Sequence, residues 1–272
     1  MTHFTNKVAV ITGAGSGIGR ALAVELARRG AELAISDVDT LGLAETEKMA
    51  TALGAHVRSD HLDVAQRELI VQYAEDVAGR FGRVNLLFNN AGIAYTGSVA
   101  EMPFKDLDRV MDVDFWGVAN GTKAFLPYLI DSGDGHVVNI SSLFGILSVP
   151  SQSAYNAAKF AVRGFTEALR QEMILGGHPV KVTCVHPGGI RTNIARNGEQ
   201  ARARDHDDLV RSFDKLARTS PERAARIILQ AVEKDRARVL VGADAKVLDV
   251  MVRVTGSHYQ RLATAFSRRN GL

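Results

Sequence analysis

The apolar run Val8–Thr12 passes straight into Gly13-Ala14-Gly15-Ser16-Gly17-Ile18-Gly19. A helical period follows, with Ile18, Leu22 and Leu26 four apart on one face. This passage from strand through glycine turn to helix constrains the chain more than any other feature. Glycine lets the backbone come close to an anion with no Cβ in the way. The first-turn amides of the following helix point at that anion, and the helix dipole favours negative charge there. A glycine turn alone could serve only as a tight corner. A strand before it and a helix after it are the context that phosphate binding needs.

The alternation continues along the chain. Gly30 stops the first helix, Glu32–Ser36 reads as a strand, Leu41–Leu53 as a helix and Ala55–Ser59 as a weaker strand. Ala65–Phe81 reads as a helix that ends at Gly82. Val84–Phe88 is apolar without alternation, as strands covered on both faces are. Phe104–Leu129 reads as one long helix, or as two segments bent near Gly117 and Gly121. Strands over His136–Ile140 and Val180–Val185 flank a helix over Ala154–Leu175, and Val239–Val241 is a last short strand. Before it, Ser220 caps and Pro221 opens a helix running to about Asp235. This order predicts an α/β fold, a doubly wound parallel sheet of about seven strands with helices on both faces. One domain over residues 1–272 is expected, since no linker, repeat or low-complexity segment interrupts it. The charged stretch 190–218 has no clear period and reads as a lid over the substrate. The tail 253–272 carries four arginines and no acid. It reads as a solvated terminal helix, with a lid, a subunit contact or a membrane-surface helix as alternatives.

Several function classes are disfavoured. Basic and acidic residues number 33 and 30 and are well mixed, which gives no argument for nucleic acid. The apolar runs are far too short to span a bilayer, and no signal-peptide pattern opens the chain. A single cysteine, Cys184, fits a reducing compartment, so a cytoplasmic location is expected. The eight histidines show no metal-binding spacing beside an acid, so no metal is expected. No Gly-x-Ser-x-Gly elbow and no P-loop lysine occur.

Two groups of residues carry chemistry. The first lies at the carboxyl ends of strands, where doubly wound sheets bind ligands. Asp37 stands 18 residues beyond Gly19, where a carboxylate accepts hydrogen bonds from adenosine ribose hydroxyls and repels a 2′-phosphate. With no basic residue at Ser16 and Val38 after the acid, NAD is favoured over NADP. Asp63-Val64 and Asn89-Asn90-Ala91-Gly92 follow the third and fourth strands and are placed to shape the adenine and ribose wall. The second group is Tyr155 and Lys159, four apart on one helical face, with Ser142 thirteen residues upstream. An ammonium favours the phenolate and brings the tyrosine proton into range for acid-base work. A hydroxyl at Ser142 could hydrogen-bond a substrate carbonyl.

Together these motifs resemble the short-chain dehydrogenase/reductase family, single-domain branch, over roughly Lys7 to Val241. The resemblance implies a Rossmann-type sheet and hydride transfer between a nicotinamide cofactor and an alcohol or ketone. It implies pyrophosphate contacts at Gly13, Ser16, Gly17, Ile18 and Gly19. Asp37, Asp63, Val64, Asn90, Ala91 and Gly92 would hold the adenosine half. Tyr155 would be the general acid-base and Ser142 the group orienting the substrate oxygen. Lys159 would hold the nicotinamide ribose and tune Tyr155. Pro187, Gly188, Ile190 and Thr192 would border the nicotinamide. Where the family usually has a helix asparagine holding a water, this chain has Asp114, an extra negative charge near Lys159 that should raise the Tyr155 pKa. Tyr95, Phe144 and Gly189, with Ser142 and Tyr155, line the expected substrate pocket. Its apolar loops predict a small hydrophobic secondary alcohol or ketone. A homodimer or homotetramer is implied through the apolar faces of the helices around residues 106–129 and 154–175. The alternatives are an NADP(H)-dependent carbonyl reductase of the same family and a catalytically weak dinucleotide-binding sensor.

Overall fold

The computed structural model describes residues 3–192, 199–200 and 218–269. Seven parallel strands form the central sheet in the order β3-β2-β1-β4-β6-β7-β9. They are β1 (Val8–Thr12), β2 (Glu32–Asp37), β3 (Val57–His61), β4 (Leu86–Asn89), β6 (Gly135–Ile140), β7 (Val180–Pro187) and β9 (Arg238–Val241). The chain order reverses between β1 and β4, whose pairing runs Ala9 with Leu86 to Ile11 with Phe88. Ligands bind outside the carboxyl ends of strands at such a switch point. Five of the seven strands are fully buried or nearly so, which is why they read as apolar runs without alternation.

Helices cover both faces. One face holds α1 (Gly17–Arg28), α2 (Thr40–Thr51) and α7 (Pro221–Glu233), with Leu22, Leu26, Ile228 and Leu229 in the core beneath. The other holds α3 (Arg67–Phe81), α5 (Gly117–Asp131) and α6 (Ser153–Leu175), with Ile70, Phe125, Leu129 and Leu169 packed inside. Ser220 caps α7 by accepting from the Arg223 amide at 3.3 Å, as expected.

Four regions depart from the sequence reading. The third strand begins two residues later, at Val57, because Gly54 at φ +85° still belongs to the turn. The long helix comes as two segments that meet next to Gly117, but the junction is a π-helical turn: α4 (Phe104–Met111) passes through it over Asp112–Trp116 and the chain resumes as α5 at Gly117. Gly117 also serves close packing, since a Cβ there would stand 2.8 Å from the Val64 side chain. A small parallel pair joins β5 (Tyr95–Thr96) to β8 (Glu199–Gln200). The C-terminal segment forms two helices, α8 (Ala243–Thr255) and α9 (Tyr259–Arg269), and it is not simply solvated, because Tyr259 is buried. Most of the 190–218 lid lies outside the described residues, as does the end of the tail.

Candidate active site

The glycine turn between β1 and α1 is a close-packed junction. A Cβ at Gly19 would fall 2.1 Å from the Gly13 carbonyl oxygen, and one at Gly13 would fall 2.7 Å from Ala91 Cα. Gly13 and Gly17 adopt φ +65° and +53°, which side chains rarely permit. The hydroxyl of Thr12 accepts the amides of Asn90 and Ala91 at 3.0 and 3.1 Å. Asn90 Nδ2 donates to the Thr12 and Gly13 carbonyls at 3.0 and 2.9 Å. Asn90 therefore braces the turn, a more specific duty than shaping a wall. Ser16 gives α1 no side-chain cap, so the helix start carries uncompensated amides. Thr192 stands over Gly17, where an added Cβ would lie 3.0 Å from its methyl carbon. An anionic pyrophosphate suits this cradle: bare glycine backbone, an uncapped helix start and a hydroxyl residue opposite.

Asp37 ends β2 beneath the turn. Its carboxylate accepts the Gly15 amide at 2.7 Å and the Asp39 amide at 2.9 Å. A carboxylate offers about four acceptor positions, so capacity for hydroxyl donors remains. Asp63 accepts from the Ala65 amide and pairs with Arg109 at 3.1 Å. Val64 is buried under Gly117.

The second group gathers at the ends of β4, β6 and β7. Lys159 and Asp114 are 3% and 0% exposed and form an ion pair at 3.1 Å. The π-helical turn carries Asp114 into this position, and such turns recur at functional sites. Asp114 Oδ1 also accepts the Ile93 amide at 2.7 Å. The side chain expected to work through a water thus meets the ammonium directly. Lys159 Nζ donates to the Ile140 carbonyl at 3.3 Å and sits 5.4 Å from the Tyr155 ring centre. Gly92 passes close to this pair: a Cβ there would come within 3.2 Å of Nζ. Burial pushes the Tyr155 pKa up, Lys159 and a hydrogen bond with Ser142 oppose the rise, and Asp114 adds to it. Burial opposes the charge on Lys159, but Asp114 and Tyr155 outweigh it, so its pKa is raised. Phe144 meets Tyr155 edge to face with ring centres 6.2 Å apart, and Tyr95 is buried in the same cluster.

Some supports were not legible in advance. The Ser141 hydroxyl donates to the Lys159 carbonyl at 2.8 Å, fixing β6 against α6. Gly145 allows that approach, since its Cβ would stand 2.6 Å from the same carbonyl. His186 is buried, holds the Ser142 carbonyl through Nδ1 at 2.9 Å, and has its pKa pushed down to about 4 by burial. Packing was expected of His186, but the contact with Ser142 was not. Asn89 donates to Asn139 at 2.8 Å and to Thr122 at 3.0 Å, and Asn139 donates to Thr166 at 3.0 Å. This buried network joins β4, β6, α5 and α6 below the site. Only the position pattern of β4 hinted at it. Ile190 points into the core and is 3% exposed, so it backs the loop from behind. Pro187 closes β7, and the Gly188 amide donates to the Val241 carbonyl at 2.9 Å. Cys184 is a buried core residue. No metal-binding cluster occurs among the described residues.

Comparison with known proteins matches this architecture. The short chain dehydrogenase family model covers residues 7–203. SadH of Mycobacterium tuberculosis, named as an oxidoreductase, is 62% identical over 266 residues, covering 97% of this chain and 96% of SadH. Human estradiol 17-beta-dehydrogenase 11 is 36% identical over 194 residues, covering 71% of this chain and 65% of that protein. The crystal structure of a short chain dehydrogenase/reductase from Burkholderia phymatum in complex with NAD superposes with a TM-score of 0.88. It is 31% identical and covers 96% of this chain and 97% of that one. The chain belongs to the short-chain dehydrogenase/reductase family, and its activity class is that of an oxidoreductase built around a nicotinamide dinucleotide.

Proposed function

We propose that the protein is an NAD(H)-dependent dehydrogenase that interconverts a hydrophobic secondary alcohol and its ketone. The observation that carries this reading is the series of half-buried Ser142 and buried Tyr155, Lys159 and Asp114, set beside the glycine cradle. Gly13, Ser16, Gly17, Ile18 and Gly19 would hold the pyrophosphate. Asp37 would take the adenosine ribose, with Asp63, Val64, Asn90, Ala91 and Gly92 around the adenosine half. Lys159 would take the nicotinamide ribose, and Pro187, Gly188 and Thr192 would flank the nicotinamide. Held there, the nicotinamide would provide the hydride chemistry that interconverts ketone and alcohol.

The chain's own residues manage the substrate oxygen. Ser142 donates to the ketone oxygen and holds it against the phenol. Tyr155 gives its proton to that oxygen as negative charge develops, and takes it back during alcohol oxidation. The Lys159 ammonium favours the phenolate left behind. Asp114 keeps Lys159 in place at some expense, because its charge opposes the phenolate. Asp114→Asn should therefore lower the pKa of Tyr155, since a neutral amide keeps the Ile93 contact and removes the opposing charge. The rise of alcohol oxidation with pH, which follows formation of the phenolate, is expected at lower pH in that variant. pH–rate profiles of the two proteins check this, and superimposable curves contradict it.

The NAD preference rests on Asp37. Arg20 also touches the turn, but its guanidinium is engaged by Glu45, Thr46 and the carbonyls of Gly15 and Gly42, so it is not free for a 2′-phosphate. The NAD in the Burkholderia relative supports the same choice. NADPH is expected to bind at least about tenfold more weakly than NADH because like charges meet at Asp37. Fluorescence titration with both cofactors tests this, and equal affinities would favour the NADP(H) carbonyl reductase instead. The apolar side chains of Tyr95 and Phe144, clustered with Tyr155, support a hydrophobic substrate, as does the estradiol in the human relative's name, whereas Leu143 and Leu147 belong to the local core. Assembly as a homodimer or homotetramer is part of the same reading. Val162 and Leu169 pack within the subunit, but Phe104, Leu107, Trp116 and Phe160 leave an exposed apolar surface around α4 and α6. A screen of ketones of rising size with NADH, read by nicotinamide absorbance, tests the function. Turnover confined to charged substrates would overturn it.

A further inference from the structure

The parallel ladder between β6 and β7 runs from Gly135 with Val180 to Ile140 with Val185. The Ser141 amide then donates to the Val185 carbonyl at 2.9 Å. Ser142 lies one residue past that bond, so the ladder ends just short of the group expected to meet the substrate. His186 takes over there. Its backbone is in register with Leu240 of β9, and its side chain is fully buried. Nδ1 stands 2.9 Å from the Ser142 carbonyl oxygen, and Nε2 stands 3.4 Å from Cys184 Sγ.

The direction of these bonds follows from the partners. A carbonyl only accepts, so Nδ1 carries the imidazole proton and donates it. Nε2 is then the bare nitrogen of a neutral ring. Burial pushes the Cys184 thiol up to about 12, so it keeps its proton and serves as a weak donor to Nε2. The Ser142 carbonyl has two acceptor positions. The Gly145 amide fills the other at 2.9 Å, but that bond lies within the turn Leu143–Gly145 and travels with Ser142. The imidazole ties Ser142 to β7 instead. At the side chain, Oγ accepts the Phe144 amide at 3.1 Å, which leaves the hydroxyl proton to donate toward the phenol and the substrate oxygen.

We infer that His186 is the positioning residue of Ser142: one imidazole tautomer, held between the Cys184 thiol and the Ser142 carbonyl, sets where the serine hydroxyl meets the substrate oxygen. The inference rests on the function proposed above and extends its machinery by one buried residue. His186 acts through Ser142, so its loss should slow the chemical step and leave NADH affinity in place.

The test compares His186→Asn with His186→Gln. Asparagine places its amide nitrogen where Nδ1 stood, and glutamine places its own where Nε2 stood. Single-turnover reduction of a hydrophobic ketone with NADH, NADH affinity and the thermal midpoint are measured for both, and for His186→Leu. Reduction is expected to slow about two- to tenfold in the Gln and Leu variants, the worth of one neutral hydrogen bond, and to recover in the Asn variant. In a Ser142→Ala background the same changes should slow it no further, because the residue through which they act is gone. Nitrogen NMR of the imidazole in the unaltered protein should show the proton on Nδ1. Undiminished rates in the Gln and Leu variants overturn the inference. So does a proton on Nε2, or an equal loss in all three variants whether or not Ser142 is present, which would make His186 only a packing group. Failure of the underlying function reads differently: the unaltered protein would bind NADH and reduce none of the ketones, although Nδ1 still carried the proton. The inference would then fall as a statement about ketone reduction.

Discussion

Tyr155→Phe is expected to lower turnover by about a hundred- to ten-thousandfold, the range for removing a positioned acid-base group. The phenyl ring would keep the edge-to-face contact with Phe144 and its place in the cluster with Tyr95 and Ala154. Only the hydroxyl is lost. That hydroxyl contacts Ser142 and is the group through which Lys159 acts on the substrate. NADH affinity and the unfolding midpoint should therefore stay near those of the unaltered protein. Single-turnover reduction of a ketone, followed by nicotinamide absorbance, separates the chemical step from release. Retention of more than about a tenth of the rate would mean that another group moves the proton.

Lys159→Met should affect stability as much as activity. Asp114 is fully buried and its ammonium partner is 3.1 Å away. Removing one member of a buried pair leaves an uncompensated charge and typically destabilises by about 3–5 kcal/mol. The sign with pH follows from the carboxyl that remains. Burial already holds the Asp114 pKa above the ordinary carboxylate range, even opposed by Lys159. Without the lysine that rise should grow, and protonation would neutralise the buried charge. A group whose folded pKa is raised favours the fold at low pH and loses that contribution as pH rises. The deficit of Lys159→Met should accordingly be smallest in mild acid and largest near neutrality. The double variant Asp114→Asn/Lys159→Met should regain most of the lost stability and none of the activity, because the phenol still lacks its ammonium. Urea unfolding at several pH values reads the first effect. Equal losses in the single and double variants would show that the pair is not the stabilising unit.

The sequence was most informative where a local pattern fixes the backbone. The glycine turn, the parallel strands and the Tyr155–Lys159 spacing all rest on neighbours within one turn or one strand, and the structure places them as expected. The ion pair of Asp114 with Lys159 was half legible. The unusual residue was evident, but its direct contact depends on a π-helical turn that carries no distinct period. His186, Ser141 and the Asn89–Asn139 network were hidden for a different reason. Each joins elements far apart in sequence, and a polar residue within an apolar strand gives no sign of its partner. The C-terminal helices were underestimated because their exposed arginines and valines dominate the pattern. The few inward residues, Ala245, Asp249 and Tyr259, are too sparse to mark a buried face.

The central claim is a placement: the Tyr155 phenol and the Ser142 hydroxyl converge on one substrate oxygen, above a nicotinamide held by the glycine cradle. A crystal structure with NADH and a slowly reduced ketone tests it most directly. The account predicts both hydroxyl oxygens within about 2.6–3.2 Å of the carbonyl oxygen, with the pyrophosphate against Gly13–Gly19 and the Asp37 carboxylate on the adenosine ribose. A dinucleotide bound elsewhere, or a phenol turned away from the ketone, would contradict it.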